Sequence, residues 1–144
     1  MTVSVPAATQ LRTSQSGSIR VLVYSDNAAF RGEIIKGLGD ALGADRKPIA
    51  WTEVATHEMA MILCLEDRYD LIVMDNEAGR LGGVGLTRQM RGELEWTPVI
   101  LLLLARQQDA WLGAWSGADA ALLQPVDPFQ LAATAARLVG VAQA

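Results

Sequence analysis

Carboxylates set at the ends of apolar runs are the residues of this chain whose placement suggests chemistry. Asp75 stands directly after Leu71-Ile72-Val73-Met74, and Asp26 follows the run Ile19-Arg20-Val21-Leu22-Val23-Tyr24-Ser25. A carboxylate so placed can carry a phosphoryl group as a covalent nucleophile. It can also help to hold magnesium, which takes a few carboxylates together with phosphate oxygens and waters. Asp26 and Asp75, with Glu77, are the candidate donors for such a shell. A transferred phosphoryl group brings spread negative charge, which a metal and a cation must meet. Plainer readings stay open beside these: Asp75 as a strand-end carboxylate capping loop amides, and Asp26 as a helix N-cap. Gly79, Gly82 and Gly83 lack the spacing of a phosphate cradle and read as a flexible loop.

The elements that must position these groups are legible as an alternation. Ile19–Tyr24 is short, β-branched and apolar, a buried strand. Asp26 or Asn27 caps a helix whose apolar face is Phe30, Ile34, Ile35, Leu38 and Leu42, with Gly43 as its end. Pro48 opens the next connection, Ile49–Val54 is a more polar strand near a sheet edge, and Thr56 caps a helix ending near Asp67. Leu71–Met74 is the third strand. A loop from Asn76 to Gly83 leads to a helix with Leu86, Met90 and Leu94 on one side. Val99–Leu103 is a central strand, a helix spans about Asp109 to Ser116, and Ala120–Leu123 is the last strand. Asp127 as N-cap and Pro128 at the first helical position open a helix lined by Leu131, Ala135 and Leu138. Strands alternating with helical crossovers predict a parallel sheet covered on both faces. In open sheets of that kind ligands gather beyond the carboxyl ends of the strands, which here carry Ser25, Asp26, Asp75, Leu103 or Leu104, and Gln124.

Length and composition bound the answer. A chain of 144 residues predicts one domain, residues 19–144, behind a flexible tail of residues 1–18 with no secretory pattern. Its 51% hydrophobic content can fill a core, while 19% charged residues is sparse for a fully solvated surface, so some apolar surface should meet another protein. A net charge of −4 argues against nucleic acid as a partner. No apolar run is long enough to insert in a membrane. The single cysteine, Cys64, permits no intrachain disulfide, which points to a reducing cytoplasm and a small core residue.

Taken together these segments resemble the receiver domain of two-component response regulators, over Ile19 to Val139. The resemblance rests on the strand ending in Ser25-Asp26-Asn27, on Tyr69-Asp70-Leu71-Ile72-Val73-Met74-Asp75, on Gly83, on Gly117-Ala118-Asp119 and on Pro125-Val126-Asp127-Pro128-Phe129. It implies the flavodoxin-like (βα)5 fold, a doubly wound α/β sheet with strand order 2-1-3-4-5. It also implies that Asp75 matches the phospho-accepting aspartate of a phosphorelay. The departures gather in one place. Ser25 replaces the first acidic residue, Leu103 or Leu104 the strand-end hydroxyl residue, Ala121 the switch aromatic and Gln124 the lysine, and Ala78-Gly79 replace the usual Met-Pro. Gln124 donates a hydrogen bond but carries no charge. A leucine cannot bond a phosphate oxygen, and an alanine has no ring to move, so phosphate loses its lever on the conformational equilibrium.

The expectation is therefore a non-enzymatic, stand-alone receiver-like module with no effector domain. It docks by protein–protein contact on a partner, such as a subunit of a larger assembly, and uses no cofactor. The alternative is a working response regulator phosphorylated at Asp75 by a histidine kinase, with magnesium at Asp26 and Asp75. Candidate partner residues are Trp111 and Trp115, four apart on one helix face, with Phe129, Met61 and Leu65. Met59 to Leu65 contains no polar residue, so one half of that helix faces the sheet and the other half is covered by neighbours or by a partner.

Overall fold

The computed structural model describes residues 17–142. Apart from Gly17 and Ser18, the tail expected at residues 1–18 lies outside the described residues. The first strand, β1 (Ile19–Tyr24), is buried along nearly its whole length. It pairs in parallel with β3 (Lys47–Val54) on one side and β4 (Leu71–Asp75) on the other. β4 pairs with β5 (Ile100–Leu104), and β5 with β6 (Ala120–Leu123), both in parallel. Near-continuous apolar sequence in β1, β4 and β5, broken by Arg20 and by the terminal Asp75, matches this position, because a central parallel strand is covered on both faces.

A short strand, β2 (Ala41–Leu42), was not expected. It runs antiparallel to β3 and pairs Ala41 with Pro48 and Leu42 with Lys47. The order is β2-β3-β1-β4-β5-β6, so the five parallel strands keep the expected flavodoxin-like arrangement and the hairpin adds an edge. Two expectations are corrected together here. Helix α1 (Ala28–Leu38) ends at Gly39, which takes φ 87° and returns its N–H to Ile35, so Gly43 does not end it and Leu42 belongs to β2. Pro48 lies within β3 opposite Ala41 of β2 and ahead of the residues that pair with β1, so its missing N–H falls at the start of the strand. The apolar period carried Leu42 into the helix because one buried residue fits either element.

Two layers of helix cover the sheet. α1 and α5 (Pro128–Val139) pack on one face, where Ile34, Leu38, Leu131 and Ala135 meet Val21, Val23, Val73, Leu101 and Leu103. α2 (His57–Glu66) and α3 (Gly82–Glu93) pack on the other, bringing Ala60, Met61, Cys64, Leu86 and Met90 onto Leu22, Tyr24, Ile72 and Leu102. α4 (Ala110–Ser116), entered through a 3-10 turn at Gln107–Asp109, borders α3, β5 and β6. Thr56 caps α2 and Asp127 caps α5, each accepting a backbone N–H within the first turn. The lower rim is tied by Arg20, whose guanidinium holds both oxygens of Asp67 at 2.8 and 2.6 Å and lies over the Tyr69 ring. Among the described residues no helix is long and apolar enough to cross a membrane.

Candidate functional site

The carboxyl ends of β1, β4 and β6 bring Ser25, Asp26, Asp75 and Gln124 together. Asp75 closes β4 and is 7% exposed. Its Oδ2 accepts a hydrogen bond from the Ser25 hydroxyl at 2.7 Å, and Ser25 is fully buried. Its Oδ1 accepts the Glu77 backbone N–H at 2.9 Å and a long contact of 3.4 Å from Gln124 Nε2. That amide nitrogen also donates to the Leu103 carbonyl at 3.2 Å. Gln124 is thus divided between a carboxylate and a carbonyl, two acceptors that an amide can serve but not neutralise. The Gln124–Pro125 peptide is cis.

Asp26 is not the helix cap. Asn27 holds that place and accepts from Phe30 N–H at 3.1 Å, while the Asp26 carboxylate crosses to the Gly79 N–H at 2.9 Å. Ser25 also accepts from Asn27 N–H at 3.1 Å, so its hydroxyl is engaged on both sides. Arg31, which sequence reasoning passed over, steadies this turn. Its Nη1 donates to the Ser25 carbonyl at 2.6 Å and its Nε to Glu53 at 2.9 Å. The spacing from Ser25 to Arg31, one turn into a capped helix, was the available signal. Tyr24 reaches under the loop to the Ala78 carbonyl at 3.4 Å. Burial raises its phenol above the usual range, with the charges of Asp26, Glu58 and Asp75 adding to the shift.

Behind Asp75 the loop is held open for α3 by glycine. Gly82 has φ 69°, and a Cβ there would lie 2.7 Å from the Asn76 carbonyl; one on Gly83 would lie 2.5 Å from Leu102 Cδ1. Leu81, at the helix start, offers no capping side chain, and Asn76 Oδ1 accepts the Val84 N–H instead at 3.1 Å. Leu103 and Leu104 are buried, Leu103 toward α1 and α5 and Leu104 toward α2 and α3. Ala121 sits so close to α4 that a Cβ on Gly113 would fall 2.9 Å from its own. The helix and strand meet where an aromatic ring would otherwise need room.

For a magnesium ion the donor set is thin. Among the described residues no group of three or more His, Cys, Asp or Glu is placed to hold a metal. Magnesium takes one or two carboxylates beside phosphate and water, and the two present, Asp26 and Asp75, are already engaged by protein donors. The fit is poor. Beside Gln124 a cleft of about 370 Å³ runs between α1 and α5, lined by Phe30, Ile34, Pro125 and Leu131 with Glu33 as its one acid. It has no basic side chain among its lining residues, which suits no phosphate-bearing ligand.

The candidate partner residues divide. Trp111 and Trp115 are 63% and 54% exposed, and Phe129 is 86% exposed at the start of α5. The pair does not pack on the sheet. Instead Arg88 lies 3.9 Å from the Trp115 ring centroid and donates to the Trp115 carbonyl. Leu65 is 64% exposed, but Met61 is buried with Ala60 and Cys64 and cannot meet a partner. The outward stripe of α2 is Met59, Ile62 and Leu65. An all-apolar run left its rotation about the helix axis undefined. Cys64 is inert in this setting, its thiol pushed up to about 12 by burial.

A sheet of this order, with carboxylates beyond its β1 and β4 ends, is shared with receiver domains of known structure. The signal receiver domain of a signal transduction histidine kinase from Syntrophus aciditrophicus superposes with a TM-score of 0.71 at 21% identity, covering 84% of this chain and 89% of that one. A chemotaxis response regulator of Vibrio cholerae superposes with a TM-score of 0.70 at 20% identity, covering 84% and 98%. The receiver domain of a sensor histidine kinase from Pseudomonas aeruginosa, whose structure has a magnesium ion coordinated in the active site cleft, gives a TM-score of 0.68 at 25% identity and covers 85% and 98%. No family profile matches the chain. In sequence it is 40% identical over 124 residues to an uncharacterized response regulatory protein of Mycobacterium tuberculosis, spanning 86% of this chain and 93% of that one. The same match is found in a second strain. The chain belongs to the response regulator family, and its described residues form a receiver domain.

Proposed function

We propose that this receiver works without phosphorylation, as a non-catalytic protein-interaction module that docks on a partner within a larger assembly in a reducing, cytoplasmic setting. The observation that carries the reading is the state of Asp75. Ser25, in place of an acidic residue, satisfies Oδ2 at 2.7 Å, and neutral Gln124 stands 3.4 Å from Oδ1 where a phosphoryl group would need a cation. Leu103 and Leu104, buried at the end of β5, offer no hydroxyl, and Ala121 offers no ring. Phosphate therefore finds no contact that differs between two states. Two apolar surfaces fit the docking role: Met59, Ile62 and Leu65 on α2, and Trp111, Trp115, Leu123 and Phe129 around β6.

Incubation with acetyl phosphate and magnesium followed by intact mass tests the reading. The expected result is an unmodified protein. A lasting gain of one phosphoryl group, abolished in Asp75→Ala, would establish the second reading, in which Asp75 accepts phosphate from a histidine kinase with magnesium at Asp26 and Asp75. That reading is favoured by the retained carboxylates and by the magnesium in the Pseudomonas neighbour. Binding to a native partner should survive Asp75→Asn under the first reading and fail or change under the second.

A further inference from the structure

α2 turns Ala60, Met61 and Cys64 toward the sheet, and the helical period leaves Glu58, Met59, Ile62, Leu65 and Glu66 on the opposite side, all of them exposed. Three apolar side chains and two carboxylates thus share one outward face of α2, with no base among them. Glu66 stands in the last turn, where the helix dipole is negative and a cation is the favoured residue. Asp67 beside it is answered by Arg20 at 2.6 Å. Among the described residues no ion pair or hydrogen bond reaches the Glu66 carboxylate. Trp96 donates its indole N–H to the Cys64 carbonyl at 2.8 Å, which brings the exposed Glu95 to the same end of the helix. The bases that flank α2 in sequence are His57, 3.5 Å from Glu58, and the half-buried Arg68. We propose that this face docks an amphipathic helix of a partner protein that carries lysine or arginine beside its apolar stripe.

Charge decides among the occupants an apolar face could take. A second copy meeting α2 antiparallel about Ile62 would set Glu58 against Glu66 of the other copy. A parallel meeting would set each glutamate against itself. Both arrangements oppose like charges across the contact, which is unfavourable. The acidic surface of a lipid bilayer is repelled for the same reason. A basic amphipathic helix has neither fault. Its apolar side chains meet Met59, Ile62 and Leu65, while its cations meet Glu58 at one end and Glu66 and the last carbonyls of α2 at the other. The ten residues of α2 are about 15 Å long, enough for three successive anchors of a facing helix. The three apolar side chains leave on the order of 300 Å² exposed, a patch of functional size for a monomer. So small a contact belongs among the weak, transient ones, and its charged rim makes it sensitive to salt.

The inference rests on the reading that the exposed apolar faces are contact surfaces, and it states the chemistry of the occupant of one of them. Its test involves no phosphoryl donor, so it can fail while the phosphorylation reading stands, and the reverse. The probe is a synthetic amphipathic helix of leucine and lysine, about 18 residues long, with a leucine–glutamate helix of the same pattern beside it. Each is titrated into the full, isotope-labelled chain and followed by amide chemical shifts. The lysine helix is expected to shift the amides of α2 and to weaken as salt rises, and the glutamate helix to leave them unmoved up to about 1 mM. Ile62→Asp, and separately Glu58→Lys with Glu66→Lys, should each raise the Kd about ten-fold or more. The same change of net charge made by Asp40→Lys with Asp45→Lys, in the turns that flank β2, should leave it within about three-fold. Should Ile62→Asp misfold, Ile62→Gln probes the same position. Equal binding of both helices, equal loss in the two charge-reversed variants, or shifts centred on Trp111 and Trp115 would overturn the proposal. So would an Ile62-dependent self-association, or Ile62-dependent binding to vesicles of phosphatidylcholine and phosphatidylglycerol.

Discussion

At the residue scale, Ser25 is the substitution that changes the site most. A second carboxylate beside Asp75 would repel it and share a metal; a buried hydroxyl instead donates to it and needs no metal. Ser25→Ala leaves Asp75 Oδ2 buried without that donor, and should lower stability by about 1–3 kcal/mol in urea unfolding. No change in the midpoint would mean that water replaces the hydroxyl at no cost. Burial acts on three further groups. Cys64 is raised from 9.0 to about 12, and Tyr24 and Tyr69 are raised above 10.0, burial being the largest cause in each case. A raised pKa means that the folded state keeps a proton the unfolded chain has released. The stability these groups contribute is complete below the unfolded values and is lost as pH climbs through the folded ones. The urea midpoint should therefore fall between about pH 9 and 12, less steeply in Cys64→Ala. A flat alkaline limb would contradict this.

At the element scale, the loop that carries Asp75 into α3 is built around a glycine pair. Gly83→Ala places a Cβ 2.5 Å from Leu102 Cδ1 and 3.2 Å from Asn76 Cα, so strand and loop must separate. The expected loss is about 1–3 kcal/mol, as for other overpacked sites, measured by thermal or urea unfolding. Gly92, on the same helix, has nothing within 4 Å of an added Cβ, and Gly92→Ala serves as the neutral or slightly stabilising control. Much at this scale was legible in the sequence. The capping residues Thr56 and Asp127, the strand β1 and the start of α5 stand where local chemistry placed them, and β4 and β5 stand within one residue of it. The β2–β3 hairpin was not legible, because two residues of strand carry no period of their own and depend on a neighbour for their identity.

At the scale of the whole molecule, hydrogen bonds and close packing tie α3 and α4 to the strands β5 and β6. Arg91 on α3 reaches the carbonyls of Gly117 and Pro98 and the carboxylate of Asp119, clasping the segments that enter β5 and β6. Arg88 covers Trp115, and α4 lies against β6 at Gly113 and Ala121. Under the proposed reading, with no hydroxyl at Leu103 or Leu104 to draw inward, a phosphate mimic has nothing to pull. Hydrogen exchange across α4 and β6 should be the same with and without beryllofluoride and magnesium. A protection change there, absent from Asp75→Asn, would show a working switch and end the phosphorylation-independent reading.

Order along the chain was enough to determine the five parallel strands, the two covered faces and the gathering of Ser25, Asp75 and Gln124 at one rim, since alternating apolar periods leave a parallel sheet few ways to wind. Only tertiary structure decided which way side chains turn. It engaged Asp26 with Gly79 rather than with its own helix, buried Met61 while exposing Met59, Ile62 and Leu65, and left both tryptophans of α4 outside. Those outcomes depend on rotation about helix axes and on contacts between residues far apart in sequence. An apolar run or a lone carboxylate carries no information about either until the sheet and helices are packed.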